Sequence, residues 1–225
     1  MSNTTKLWYL ENFNLFSSLK MKEMEELSKM AAMRSCVKNQ VIYFTDDPSD
    51  KIYFLKQGKV KLSRYADNGR EIITALLGPG EIFGELAISG QQHRDETAEA
   101  MEDSVICTLS VNEMEKMLEQ NPQFNLRITK LIGLRLQKVE SRLASLIFKS
   151  SEQRVCSFIY DSATEHGKTT AKGIEVSLRL THDDIAKLTA TARPTVSAVF
   201  SDLEKRNIIE YNRKRILVKN LEALK

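Results

Sequence analysis

The chain has 225 residues, 42% of them hydrophobic and 28% charged, with a formal net charge of +3. That balance excludes disordered and collagen-like chains, and the length suits two small domains better than one core of ~100–150 residues. No apolar run approaches the ~18–20 residues that span a bilayer, and Cys36, Cys107 and Cys156 are too scattered for a disulfide framework or a zinc site.

The opening stretch, MSNTTKLWYLENF, has no basic segment leading into a long apolar one. No signal peptide is read there, and a cytoplasmic location is expected. Residues 22–33 read as a helix with Met24, Leu27, Met30 and Ala31 on one face. From Val37 to Leu109 short strands dominate: residues 52–55, 60–65 and 72–77 are β-branched or aromatic, separated by turn formers at Gly58, Asn68-Gly69 and Gly78-Pro79-Gly80. Asn68-Gly69 predicts a tight hairpin, because both residues tolerate positive φ. Strands so closely spaced predict a small barrel or sandwich.

A helical piece over 112–119 follows, and Asn121-Pro122 restarts a helix that runs to about Leu146. Along it Ile132, Leu136, Val139, Leu143 and Leu146 fall at spacings of 4, 3, 4 and 3, a heptad seam of two repeats. The pattern alone fits a dimer contact and a helix lying on its own domain equally well. A second stripe, Ile128, Leu131 and Leu134, is read as facing the barrel. The last third reads as a helix over 152–162, a polar loop over 165–173, a strand over 174–178, two helices and a hairpin. A domain boundary is expected within 148–151.

The sharpest signal is THDDIAKLTATARPTVSAVFSDLEKRNII, residues 181–209. Thr181 with Asp184 three residues later is a capping box, which satisfies orphan N–H groups at a helix start. Ile185, Ala186 and Leu188 read as the buried stripe of a short helix, and residues 189–192 as a turn of small residues. Pro194 sits in the first turn of a second helix, where a missing N–H costs nothing. Val196, Val199, Phe200 and Leu203 hold that helix against the first. Arg193, Thr195, Ser197 and Ala198 then face outward, as in a recognition helix whose first residues reach base edges.

Arg193 suits a bidentate contact to guanine, while the hydroxyls of Thr181, Thr191, Thr195 and Ser197 suit phosphates or less specific contacts. Residues 208–218 read as a two-stranded wing whose tip, Arg213-Lys214-Arg215, would follow the DNA backbone. Residues 148–225 carry 14 basic and 10 acidic side chains, against 19 and 20 in residues 1–147. This late positive excess fits an acidic partner, although charge alone does not decide it.

In this order the motifs resemble the CRP/FNR family of bacterial transcription regulators, from about Leu15 to Val218. SDKIYFLKQGKVKL (49–62) and GPGEIFGELAI (78–88) resemble the family's cyclic-nucleotide-binding fold. NPQFNLRITKLIGLRLQKVESRLASL (121–146) resembles its dimerisation helix, and residues 181–218 its winged helix-turn-helix. The resemblance implies an α+β chain: a jelly-roll β-barrel effector domain (1–118), a long dimerisation helix and hinge (119–148), and a winged helix-turn-helix DNA-binding domain (149–225). It also implies a homodimer paired through Ile132, Leu136, Val139, Leu143 and Leu146. Such a dimer reads a two-fold operator in double-stranded DNA through residues 193–204, without a membrane. RNA polymerase is a further implied partner if the protein activates, with residues 165–172 as the candidate contact.

In cyclic-AMP-binding members a cassette supplies a Gly-Glu pair and an Arg-Ser pair, and the long helix supplies hydroxyls. Here Gly84-Glu85 is kept, followed by Leu86, and Arg94 reaches the arginine position if one loop residue is deleted. Asp95 stands where a small hydroxyl residue belongs, and a carboxylate beside a phosphodiester is repulsive. Val139 and Glu140 occupy the two hydroxyl positions of the helix. These departures argue against cyclic AMP and leave Glu85 and Arg94 to pair with one another. An iron–sulfur cluster would need grouped N-terminal cysteines, and haem an axial ligand for which the barrel offers only His93. The effector stays unidentified.

Cys36 and Cys107 sit in apolar stretches and read as buried. The recognition helix departs too, with Pro194 after Arg193 where an acidic residue is usual and Ala198 in place of a second basic reader. No catalytic or metal-binding residue is read, because a barrel oxygenase needs several histidines and a carboxylate converging. The alternative function is a cyclic-nucleotide-binding module acting on a protein partner, against which the winged domain speaks.

Overall fold

The structure, a computed structural model, describes residues 20–177, 180–212 and 215–225. Two units divide between Leu136 and Gln137. The first holds helix α1 (Met21–Met30) and strands β1 (Ala32–Cys36), β2 (Val41–Tyr43), β3 (Lys51–Gln57), β4 (Val60–Tyr65), β5 (Glu71–Leu77), β6 (Ile82–Phe83), β7 (Thr97–Ala100) and β8 (Ser104–Ser110). Helix α2 (Val111–Gln120) and the long helix α3 (Pro122–Phe148) follow. The strands form two antiparallel four-stranded sheets, ordered β1-β8-β3-β6 and β2-β7-β4-β5, which is the jelly-roll arrangement.

Strand β3 is buried from Ile52 through Lys56 because both of its faces are covered. Tyr53 and Leu55 lie between the sheets with Cys36, Leu62, Phe83 and Ile106. Ile52 and Phe54 lie on the other face, in a cluster with Met24 and Leu27 of α1, Met114 of α2, and Phe124 and Ile128 of α3. Alternation along one strand therefore builds two cores at once.

The β3–β4 turn depends on Gly58, whose φ of +91° belongs to the left-handed region. A Cβ there would stand 2.1 Å from Ser104 Oγ and 2.8 Å from the Asp103 carbonyl. Left-handed strain and overpacking together should make Gly58→Ala lower the stability of this unit by about 2–4 kcal/mol. Urea unfolding followed by circular dichroism checks this, and an unchanged midpoint would refute it.

Several local expectations shift. Helix α1 stops at Met30, which is exposed, since β8 recruits the following residues as β1, with Met33 opposite Cys107. The β4–β5 hairpin is not the two-residue turn expected. Only Gly69 takes positive φ, at +77°; the Gly69 N–H donates to the Ala66 carbonyl and the Arg70 N–H to Asn68 Oδ1, as in a type I turn closed by a glycine bulge. Ile128 is buried and Leu131 packs beside it, but Leu134 is 62% exposed. The covered stripe continues instead at Arg135.

The second unit adds α4 (Ser151–His166), β9 (Lys168–Thr170), β10 (Gly173–Val176), α5 (His182–Thr189), α6 (Arg193–Lys205), β11 (Ile209–Tyr211) and β12 (Ile216–Val218). Its sheet is ordered β11-β12-β10-β9, so the wing strands belong to a four-stranded sheet. The stretch read as a polar loop is the end of α4 plus β9, an exposed edge strand whose polar side chains hide its pairing with β10. Leu178, read as the end of a strand, lies outside the described residues. Val155, Ile159, Val176, Ile185, Val196, Phe200, Leu203 and Ile216 make the core of this unit. No helix among the described residues is long and apolar enough to cross a membrane.

Candidate functional site

Helix α5 starts on a full capping box: Thr181 Oγ1 accepts from the Asp184 N–H at 3.1 Å and donates to Asp184 Oδ2 at 2.7 Å. It ends at Ala190 in the left-handed conformation, with the Thr191 N–H donating to the Ala186 carbonyl at 2.9 Å. Its buried residues are Ile185, Ala186 and Thr189; Leu188, expected in that stripe, is only half-buried. Two arginines close this end. Arg154 of α4 donates to the carbonyls of Thr189 (2.8 Å) and Ala190 (3.0 Å), and Arg142 of α3 to that of Leu188.

In α6, Val196, Val199, Phe200 and Leu203 are buried, while Arg193, Pro194 and Ala198 are exposed. Among the described residues the Arg193 side chain has no hydrogen-bond or ion-pair partner. Thr191, Thr195 and Ser197 are half-buried, and two of their hydroxyls are engaged. Thr191 Oγ1 lies 3.0 Å from Thr189 Oγ1; Ser197 Oγ donates to the Arg193 carbonyl at 3.2 Å and lies 2.9 Å from His182 Nδ1. The His182 ring packs against Phe200 and Tyr211, so α5, α6 and β11 meet at one side chain. Burial first, and Arg193 second, lower the pKa of His182.

In the wing, Arg215 Nη1 pairs with Glu175 of β10 at 2.6 Å. Arg213 and Lys214 lie outside the described residues. On α3 every seam residue is exposed: Ile132 45%, Leu136 57%, Val139 59%, Leu143 57% and Leu146 42%.

In the barrel, Gly84 has a φ of +71°, and a Cβ on it would stand 2.7 Å from Arg94 Nη1. That close approach is what lets the Arg94 guanidinium, 2% exposed, donate to the Gly84 carbonyl at 3.0 Å and to the Lys51 carbonyl. Its Cζ stands 4.7 Å from the centre of the Tyr43 ring, a cation–π position. Glu85 opens the 3-10 turn Glu85–Ser89 and is held by Arg135 of α3, not by Arg94 as the sequence suggested. Arg94 Nε and Arg135 Nη2 are buried donors without a partner.

Asp95 pairs instead with Arg64 at the surface, where it lines an open cleft with Phe44, Tyr65 and Thr97. Leu86 is exposed, and so are Val139 and Glu140, which lie in the second unit. The structure thus brings Gly84, Glu85 and Arg94 together. It adds three residues that the sequence reading missed: Tyr43, Glu96 and Arg135. Only Arg135 left a local signal, since 128, 131 and 135 continue the helical spacing of the covered stripe better than 134 does.

The hydroxyl of Tyr43 donates to Glu96 Oε1 at 3.1 Å. Burial raises the pKa of Glu96, with Glu85 adding repulsion. A carboxyl raised in the fold stabilises below its unfolded pKa, and that contribution is lost as pH rises through the folded value. Glu96→Gln should therefore melt higher than the parent at pH 8 and level with it near pH 4. Parallel melting curves across that range would contradict this.

The cyclic nucleotide-binding domain family matches residues 33–121, and the Crp-like helix-turn-helix domain family matches residues 153–225. The global nitrogen regulator of Synechocystis sp. is 31% identical over 189 residues, covering 83% of this chain and 84% of that protein. The chain belongs to the CRP/FNR family of transcriptional regulators.

Another member, the CRP-like cAMP-activated global transcriptional regulator of Mycobacterium tuberculosis, is 25% identical over 215 residues, 96% of each chain. Among solved structures, a CooA mutant from Carboxydothermus hydrogenoformans superposes with a TM-score of 0.77 at 26% identity, covering 87% of both chains. Like other CRP/FNR regulators, this chain combines a β-rich effector domain, a long helix and a helix-turn-helix DNA-binding domain.

Proposed function

We propose that the protein works as a homodimer that grips a two-fold operator with one α6 in each half-site. The observation that carries this reading is the Arg193 guanidinium, exposed and unpaired at the first position of a helix whose opposite face is buried. The apolar seam from Ile132 to Leu146 supports pairing through α3. Residues 1–118 would act as effector domain, 119–148 as dimerisation helix and hinge, and 149–225 as DNA-binding domain. The protein acts by binding and population shift in the cytoplasm, with no bond made or broken. If it activates, residues 165–172 are its polymerase-facing surface.

The effector differs from cyclic AMP, because Arg94 is engaged by the Gly84 and Lys51 carbonyls and Glu85 by Arg135, while Val139 and Glu140 present no hydroxyl. The unpartnered N–H groups of Arg94 and Arg135 favour a different small anion. Millimolar cyclic AMP should leave operator affinity unchanged.

Arg193→Ala tests the interface. It should cost about 1–3 kcal/mol of discrimination at one base pair in each half-site, leaving the preference at other positions intact. Operator selection from random duplexes, compared between parent and variant, measures this. An unchanged preference would remove Arg193 from the base-reading role.

A further inference from the structure

We infer that the recognition helix reads thymine methyl groups beside its single guanine contact, with Pro194 and Ala198 as the apolar readers. This rests on the DNA-binding reading above and specifies its ligand.

Hydroxyls near the start of the motif are committed within the protein: Thr181 to the capping box, Thr191 to Thr189, and Ser197 to His182 and the Arg193 carbonyl. Thr195, half-buried, is suited to the phosphate backbone. Further along, Ser201 is exposed one turn beyond Ala198, outside the first two turns, and Asp202 is paired with Arg206 at 3.1 Å. Apart from Arg193, the exposed side chains of the first two turns are Pro194 and Ala198.

Four residues apart, these two share one face, separated along the helix by about 6 Å. That span is close to two base-pair steps of ~3.4 Å. Pro194 brings a ring and no N–H, and Ala198 a single methyl, so neither can bond to a base edge. The major groove offers one apolar feature to such a surface, the C5-methyl of thymine. The short side chain of Ala198 also lets the helix backbone approach the groove floor, where a longer residue would hold it off. Polar edges facing these two positions would lose their water without compensation, which biases against guanine, cytosine and adenine there.

The test uses the full chain and an operator selected from random duplexes. Each thymine is replaced in turn by deoxyuridine, symmetrically in both half-sites, which removes the methyl and nothing else. Burying one methyl corresponds to about fourfold in affinity, so about fifteenfold is expected for a symmetric pair. Two positions about two base-pair steps apart, near the guanine, should show this loss. Ala198→Gln, on an exposed site that the fold tolerates, should abolish it at one of the two while Arg193 still selects guanine. Sequence-selective binding with no deoxyuridine effect at any position overturns the inference alone. Absence of sequence-selective binding overturns the DNA-binding reading as well.

Discussion

Replacing Leu136 and Leu143 together by aspartate should convert the protein to a monomer and weaken operator binding by two to four orders of magnitude. Both leucines are 57% exposed on a single chain, and with Ile132, Val139 and Leu146 they line one face of α3 at heptad spacing. A side chain of this kind gains about 1.5–3 kcal/mol on full burial. Two copies of the double variant remove four such side chains and put four carboxylates on the seam. Even partial burial makes the loss exceed about 5.5 kcal/mol, or 10⁴-fold in dimer affinity. Operator affinity then falls because the second half-site contact is no longer intramolecular, which is worth roughly 10²–10⁴-fold. Sedimentation at micromolar concentration reads the first effect and a titration with labelled duplex the second. A variant that stays dimeric would show that α3 pairs through another face or not at all.

What could be read from sequence alone was what local physics decides. The start of α5 is announced by Thr181 and Asp184, whose capping box needs only three residues of separation. Phe200 and the valines before it mark the buried face of α6 by period alone. Strands β3, β4 and β5 are visible as β-branched runs between turn formers.

The failures lie where a distant partner decides. Met30 to Cys36 could continue a helix, but β8, some seventy residues away, turns the second part into β1. The departures from the cyclic-AMP cassette leave Glu85 to Arg94, whereas its partner Arg135 lies 50 residues on. Lys168 to Thr170 form a strand without the apolar alternation that normally identifies one, since an edge strand needs only its backbone paired. Tyr43 and Glu96, 53 positions apart, meet only because β2 and β7 are neighbours.

Arg154→Ala should lower the stability of the second unit by about 2–4 kcal/mol and reduce operator affinity without altering which bases are preferred. Arg154 holds the turn before α6 through a set of bonds that no other described residue duplicates, Arg142 reaching only the Leu188 carbonyl. Its Nε and Nη2 serve the Thr189 and Ala190 carbonyls, its Nη1 the Lys149 carbonyl at 3.0 Å, and Nη2 also reaches Ser151 Oγ at 3.3 Å.

The carbonyl at the end of α5 has no intrahelical donor, and a cation there also meets the negative end of the helix dipole. Hydrogen bonds from a charged donor contribute about 1.5–3 kcal/mol each where removal leaves the acceptor unsatisfied. Partial solvent access reduces the sum to the range given. Arg154→Lys should recover little of it, because an ammonium cannot present the planar fork that spans two successive carbonyls.

Arg154→Ala and Arg193→Ala should leave opposite signatures. Arg193 is exposed and unpaired, so its loss should change base preference and leave the urea midpoint unmoved. Arg154 points into the protein, so its loss should move the midpoint and spare the preference. An Arg154→Ala variant with relaxed base preference at full stability would mean that the turn, and not the exposed face of α6, sets specificity.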